Sequence, residues 1–268
     1  MATQLAKLDD IDIAYEISGP QEAPAIVLGH CFCADHRFWD WHMPACDGYR
    51  VVRIDTRGHG QSGKPAGPYS LRMLAADVIG LLDLLQLDKV HFAGVSMGGM
   101  IGQTLALEHP DRIASLALVN TTPVYSDEQR SAWRERAQRV LRDGIGAVHD
   151  GLMTRWFTDA AIAGDNPGYR YMAKIVHRFS PQSFDAVTAA MCELNTVERL
   201  AQISVPALVV AAPEDPGVPP ELSQLLAAKI ADSELHWLTP ARHLATLEHV
   251  PAFNRLLKAH LARVAPLQ

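Results

Sequence analysis

The chain predicts an α/β fold, with one mostly parallel, doubly wound sheet interrupted by an all-helical insertion. Three observations carry this. Strand-like segments at 25–28, 49–54, 89–94, 113–119 and 205–211 alternate with segments whose apolar residues recur at helical spacing, the pattern of a sheet covered by helices. A glycine-rich turn, Gly94-Val95-Ser96-Met97-Gly98-Gly99, joins one such strand to the helix after it. Residues 122–200 then show helical signals alone before the alternation resumes. Residues 1–121 and 203–268 are therefore expected to form the core, and 122–202 a helical cap, or lid, over the sheet's carboxyl edge.

Taken in order, 3–8 and 11–18 read as a hairpin turning at Asp9-Asp10, from the alternation of Ile11, Ile13, Tyr15 and Ile17. Ala25-Ile26-Val27-Leu28 is a strand buried on both faces; it opens into Gly29-His30-Cys31-Phe32-Cys33 and an aromatic stretch with Phe38, Trp39 and Trp41. The 49–54 strand closes at residues 55–62. Ser70 is the N-cap of a helix reaching Leu87, with Leu71, Leu74, Val78, Leu81, Leu82 and Leu85 on one face. The 89–94 strand feeds the glycine turn and a helix over 97–109, stopped at His109-Pro110.

In the insertion, Ser126-Asp127-Glu128-Gln129 is a capping box. Gly144, Gly146 and Gly151 are expected to interrupt a second helical segment ending near Trp156-Phe157. A third helix is expected over 167–179, and Ser180-Pro181 starts a fourth reaching 192. The 205–211 strand ends near Glu214-Asp215, and Pro219-Pro220-Glu221 starts a helix to 230. A last strand at 234–238 precedes Pro240-Ala241-Arg242-His243-Leu244 and a closing helix over 251–263.

Composition narrows the function classes. The chain has 268 residues, about half apolar, and a net charge of −6, which argues against a nucleic-acid partner. No apolar run has the length of a membrane span, and the first seven residues lack the order of a signal peptide, so a cytoplasmic location is expected if the chain is complete. Cysteines 31, 33, 46 and 192 are too few for a disulfide framework in a chain of this size. Cys31-x-Cys33 beside His30 and His36 fits no zinc spacing and reads as packed thiols; neither metal nor organic cofactor is expected. The oligomeric state stays open.

The chemistry gathers around Ser96. A Gly-x-Ser-x-Gly turn between strand and helix is a nucleophile elbow, although the bare pattern also occurs in turns without chemistry. Asp215 follows one later strand and His243 the last one, so both sit where a parallel sheet presents its carboxyl ends. A serine hydroxyl needs a base within hydrogen-bond reach; an imidazole supplies it, and a carboxylate orients the imidazole. Glu214 competes with Asp215 as the turn's carboxylate. His236 within a strand and His249 within a helix compete less well with His243. An oxyanion hole would use the Met97 N–H and an N–H from the loop after 25–28, with Phe32 the candidate. His59, in the Arg57-Gly58-His59-Gly60 turn, reads as structural. His30, Trp133, Trp156 and Phe157 are candidate pocket residues, weighed against simple packing of the cap onto the core.

These segments resemble the α/β-hydrolase superfamily, and within it the 3-oxoadipate enol-lactonases, over nearly the whole chain after residue 10. The likeness is carried by Val27-Leu28-Gly29-His30-Cys31-Phe32, by Arg53-Ile54-Asp55-Thr56-Arg57-Gly58-His59-Gly60, by Ser96-Met97-Gly98-Gly99-Met100-Ile101-Gly102-Gln103 and by Arg155-Trp156-Phe157-Thr158. The resemblance implies Ser96 as nucleophile, Asp215 as acid, His243 as base, and Phe32 with Met97 as oxyanion donors. Two departures stand out: Cys33 where the family has glycine, and Arg242 where it has a small residue before the histidine.

The expected function is hydrolysis of a small lactone or ester through an acyl-enzyme on Ser96. An enol-lactone carboxylate would call for a cation near the pocket. The 127–142 segment, with five Arg against three acidic residues, is locally positive without singling out one of them. C–C bond hydrolysis of a ring-cleavage product and a perhydrolase reaction use the same triad. A ligand receptor without turnover is a third class, which covalent labelling by a fluorophosphonate would distinguish from an enzyme.

Overall fold

A computed structural model of the protein describes residues 2–264; Met1 and residues 265–268, the outer ends of the two expected core segments, lie outside the described residues. The chain opens with strands β1 (Gln4–Lys7), β2 (Asp12–Ser18), β3 (Ala25–Gly29) and β4 (Arg50–Ile54), followed by helix α1 (Leu71–Leu84). Strand β5 (Val90–Val95), helix α2 (Met97–Glu108) and strand β6 (Ile113–Val119) come next. Helices α3 (Asp127–Asp143), α4 (Gly146–Trp156), α5 (Asp159–Ala163), α6 (Pro167–Val176) and α7 (Pro181–Cys192) follow without a strand between them. The chain then returns to β7 (Ala207–Ala211), α8 (Pro220–Lys229), β8 (Ser233–Trp237), α9 (Ala245–Glu248) and α10 (Val250–Arg263).

The eight strands form one sheet in the order β1-β2-β4-β3-β5-β6-β7-β8. β1 and β2 are antiparallel to their neighbours and every other pairing is parallel. Central strands β3, β5 and β7 are buried along their whole length, which is why their sequences run apolar rather than alternating. β7 starts at Ala207, after Pro206: proline has no N–H for the ladder, but its carbonyl still accepts from Leu116 N–H at 2.9 Å. Ser70 caps α1 by accepting from Met73 N–H, and the face with Leu71, Leu74, Val78, Leu81 and Leu82 is buried. Burying each such side chain contributes about 1.5–3 kcal/mol.

The insertion between β6 and β7 leaves and re-enters the core through a narrow neck. Val124 and Asn195 form an isolated antiparallel bridge, and Thr196 N–H donates to Pro123 O at 2.9 Å. The capping box at Ser126 and Gln129 forms, α3 packs on α7, and α4 packs on α6. Gly151 lies inside α4 rather than interrupting it, because no side chain crowds that position and a helical backbone accepts glycine at a modest cost. Two short helices, α5 and α9, carry too few residues to show a period. The aromatic stretch forms a 3-10 helix, His36–Cys46, that buries Phe38, Trp39 and His42; Phe38 and Trp39 lie edge-on, and Trp39 and His42 meet Phe253 of α10. No helix among the described residues is long and apolar enough to cross a membrane.

Candidate active site

β5 ends at Val95 and α2 begins at Met97, so the backbone must reverse within Ser96. It does so at φ 54°, ψ −111°, a conformation that side chains disfavour. The neighbours have to be glycine: a Cβ on Gly94 would lie 2.2 Å from the Gly98 carbonyl, and one on Gly98 would lie 2.3 Å from Gly29 O. The turn is held by Ser96 N–H donating to Val119 O at 2.8 Å and Thr121 Oγ1 donating to Ser96 O at 2.8 Å. β5 is thereby tied to β6 where the turn begins.

The three residues expected from distant parts of the chain meet here. His243 Nε2 lies 2.8 Å from Ser96 Oγ, and His243 Nδ1 lies 2.6 Å from Asp215 Oδ2. A carboxylate can only accept, so Nδ1 carries the proton and Nε2 is free to accept from the serine hydroxyl. Asp215, buried after β7, is itself fixed: its Oδ1 accepts from Gly217 N–H at 2.7 Å and Val218 N–H at 3.2 Å, while Asn120 Nδ2 lies 3.4 Å from Oδ2. The competitors are occupied elsewhere. Glu214 reaches Thr239, His236 is on β8 beside Glu234, and His249, the cap residue between α9 and α10, donates from Nε2 to Pro240 O.

Behind the loop after β3 stand two buried imidazoles, His30 and His59, with ring centroids 4.9 Å apart. His30 Nε2 accepts from Thr56 N–H at 3.1 Å, and His59 Nε2 accepts from Cys33 N–H at 3.2 Å. Both are held neutral, because burial pushes their pKa values down, and for His59 the neighbouring His30 adds to the effect. Cys33 occupies φ +62°, the left-handed region that favours glycine, and its N–H is consumed by His59. Phe32 N–H, by contrast, has no protein acceptor among the described residues. Met97, as the first residue of α2, has an N–H with no partner within the helix.

Asp215 and His243 line a cleft of about 90 Å³ together with Tyr125, Trp133 and Arg136 of the α3 region and Arg155 and Trp156 at the end of α4. Of the four residues named for the pocket, Trp133 and Trp156 are in this lining. His30 is not, because its ring turns inward to the Thr56 backbone. Phe157 is not either; it is fully buried, 5.7 Å edge-on from Tyr169. A loop or helix-end side chain takes its direction from packing, which the sequence does not show. Sequence reasoning does not single out Tyr125 or Arg136 and names Arg155 only within a resembling segment; the excess of arginine over 127–142 is a signal for Arg136.

The departure at Arg242 has a visible use. Its Nη1 donates to Thr154 O at 2.8 Å, Phe157 O at 2.9 Å and Asp159 Oδ1 at 2.9 Å. Its N–H donates to Glu248, whose other oxygen accepts from Thr158 N–H at 3.1 Å, and Leu244 N–H donates to Trp156 O at 3.0 Å. The loop bearing His243 is thus stitched on both sides to the α4–α5 turn.

A doubly wound sheet with a strained serine at the strand–helix turn, and an imidazole and carboxylate at the neighbouring strand ends, is the layout of one class of hydrolases. The chain belongs to that class, the alpha/beta hydrolase fold family, whose pattern matches residues 24–250. It is 34% identical to 3-oxoadipate enol-lactonase 2 of Acinetobacter baylyi, over 95% of this chain and 94% of that one. It is 32% identical to a putative carbamate hydrolase RutD of Variovorax paradoxus, over 94% of this chain and 96% of that one. Among solved structures, the enol-lactonase from Burkholderia xenovorans LB400 superimposes with a TM-score of 0.93 at 30% identity, covering 97% of this chain and all of that one.

Proposed function

We propose that the protein hydrolyses a small lactone or carboxylic ester through an acyl-enzyme on Ser96. The observation that carries this reading is the unbroken relay of 2.8 Å and 2.6 Å from the Ser96 hydroxyl through His243 to Asp215. His243 takes the hydroxyl proton as Ser96 Oγ attacks the carbonyl carbon, and Asp215 holds the resulting imidazolium in place. The developing oxyanion is received by the Phe32 and Met97 N–H groups, the donors left without protein acceptors. The imidazolium returns its proton to the departing alkoxide or enolate oxygen. A water molecule, deprotonated by His243, then attacks the acyl carbon, and the serine leaves with the proton; the sum is substrate plus water to acid plus alcohol. In a lactone both products stay in one molecule.

The segment 122–202 acts in this reading as a cap that encloses the substrate against the core formed by 1–121 and 203–268. The four unpaired cysteines fit a reducing, cytoplasmic setting. The identities to enol-lactonases favour a lactone; the RutD relative makes a carbamate the second substrate class, on the same relay. Purified protein and Ser96→Ala should be compared on a five-membered lactone, a p-nitrophenyl ester and a carbamate. Turnover of the lactone lost by at least about 10⁴-fold in Ser96→Ala, with fluorophosphonate labelling confined to the unsubstituted protein, is the expected result. Full activity in Ser96→Ala would refute the reading.

A further inference from the structure

Among the described residues, five other than glycine have a backbone in the left-handed region: Cys33, Gln86, Ser96, Asn120 and Asp165. Gln86 and Asp165 are exposed just beyond helices α1 and α5, where chains commonly turn this way. The other three are buried in the turns after β3, β5 and β6. Cys33 and Ser96 belong to the oxyanion loop and the elbow. Asn120, at φ +43°, carries a second cost: its Oδ1 is buried and finds no hydrogen-bond partner among the described residues. A buried amide oxygen gives up its hydration without return, and glycine in its place would remove this cost and the backbone strain together.

The other end of the same amide touches the relay. Asn120 Nδ2 lies 3.4 Å from Asp215 Oδ2, the oxygen that also accepts from His243 Nδ1 at 2.6 Å. A carboxylate only accepts, so the amide must present its N–H₂ to it, which turns Oδ1 away. Asp215 thus meets four donors: the Gly217 and Val218 N–H groups on Oδ1, and the imidazole and this amide on Oδ2. Of the four, only Asn120 comes from the β6 side, next to the strand that carries Ser96.

The backbone that bears Asn120 is fixed to the same machinery. Asn120 N–H donates to Val210 O at 2.8 Å, at the end of β7. Thr121 Oγ1 donates to Ser96 O at 2.8 Å, and Thr122 O accepts from Gln103 Nε2 of α2 at 3.0 Å. Three consecutive residues therefore touch the acid, the carbonyl of the nucleophile and the helix behind it. We infer that Asn120 is a positioning residue of the relay: its amide, braced through Thr121 to the Ser96 turn, holds the Asp215 carboxylate at the angle at which Oδ2 meets His243. The strain and the unbonded oxygen are retained for that contact. This rests on the Ser96 hydrolase reading and adds a residue to it.

The test compares Asn120→Gly, which keeps the backbone conformation and removes the amide, with Asn120→Asp, which keeps the shape and exchanges the donor for an acceptor. With a p-nitrophenyl ester, Asn120→Gly is expected to lower kcat about 10-fold with KM little changed, while its denaturant midpoint is no lower. Asn120→Asp is expected to lose more at pH 8, because a like charge then faces Asp215. An unchanged kcat in either variant, or one in Asn120→Gly that falls only in step with the midpoint, overturns the inference. The low-field proton resonance of the His243 Nδ1–H to Asp215 bond gives a readout that needs no turnover. It is expected to shift and to exchange faster with water in Asn120→Gly, and an unmoved resonance overturns the inference whatever the activity. If the unsubstituted protein hydrolyses no lactone, ester or carbamate, the hydrolase reading fails, but a shifted resonance still upholds the Asn120 contact.

Discussion

Ser96 is strained and is the nucleophile of the proposed hydrolysis, and the two can be separated by substitution. Its backbone at φ 54°, ψ −111° costs on the order of 1–3 kcal/mol for any residue with a Cβ. Ser96→Ala and Ser96→Gly lose the same bond to His243, but only glycine relieves the strain. Against this, glycine adds about 0.5–1 kcal/mol of unfolded-state entropy. The strain term is the larger, so Ser96→Gly is expected to be about 1 kcal/mol more stable than Ser96→Ala in denaturant titration, with both inactive. Equal midpoints would show that the elbow stores no strain. Residues of this kind were legible in the sequence because the constraint is local: a reversal in one residue demands glycine at 94 and 98. The direction of His30, a candidate pocket residue in the sequence, has the opposite character: only its bond to the Thr56 backbone, remote in the chain, turns the ring inward.

Among elements, the junction of the His243 loop with the α4–α5 turn matters most. Arg242 and Glu248 hold it from one side and Thr158 and the α4 carbonyls from the other. Trp156, a lining residue, is thereby tied through its backbone carbonyl to the residue after His243. The cleft beside His243 measures about 90 Å³. α3 packs on α7, and its side-chain tie to the loop after β7 is one long bond, Gln129 Nε2 to Gly217 O at 3.4 Å. Arg242→Ala is expected to lower kcat by about 10-fold, with faster amide exchange over 154–166, and Arg242→Lys to recover part of both. Unaltered kcat together with unaltered exchange would show that the stitch does not position His243. Arg242 was visible in the sequence as a departure from the family, but its partners lie 83 to 88 residues away, and nothing local could name them.

Over the whole molecule, buried imidazoles set the response to acid. His42, His91 and His260 are each pushed down to about 4, by burial in all three and additionally by Arg263 for His260. They lie where the closing helix meets the core: His42 bonds Asn254, and His91 and His260 share the Ser115 hydroxyl. Unfolded, each would titrate near 6.5, so between that value and about 4 the unfolded chain binds protons that the folded one refuses. Stability is therefore complete above that window and falls as pH drops through it, by up to about 1.4 kcal/mol per pH unit for each imidazole. His36 works the other way. Burial lowers its pKa, but the bond and charge of Asp55 raise it above the usual value, so its contribution is greatest in acid and partly offsets the loss. The expected net result is a lower denaturant midpoint at pH 5.5 than at pH 7.5, with net proton uptake on unfolding at the lower pH. Identical midpoints would mean that these rings are protonated in the native state.

What the sequence by itself determined is the set of features whose causes lie within a few residues. These are the alternation of buried strands and amphipathic helices, the capping box at Ser126, the glycines around Ser96, and the placing of Asp215 and His243 just beyond strands. Apolar periodicity and the steric needs of a turn write such features directly into neighbouring positions. Tertiary structure alone decided which way side chains on loops and helix ends point, which arginines remain without a carboxylate in the cleft, and how the α4–α5 turn is stitched to the His243 loop. Each of these depends on a partner that is remote in the chain, and its energy exists only once folding has brought the two together.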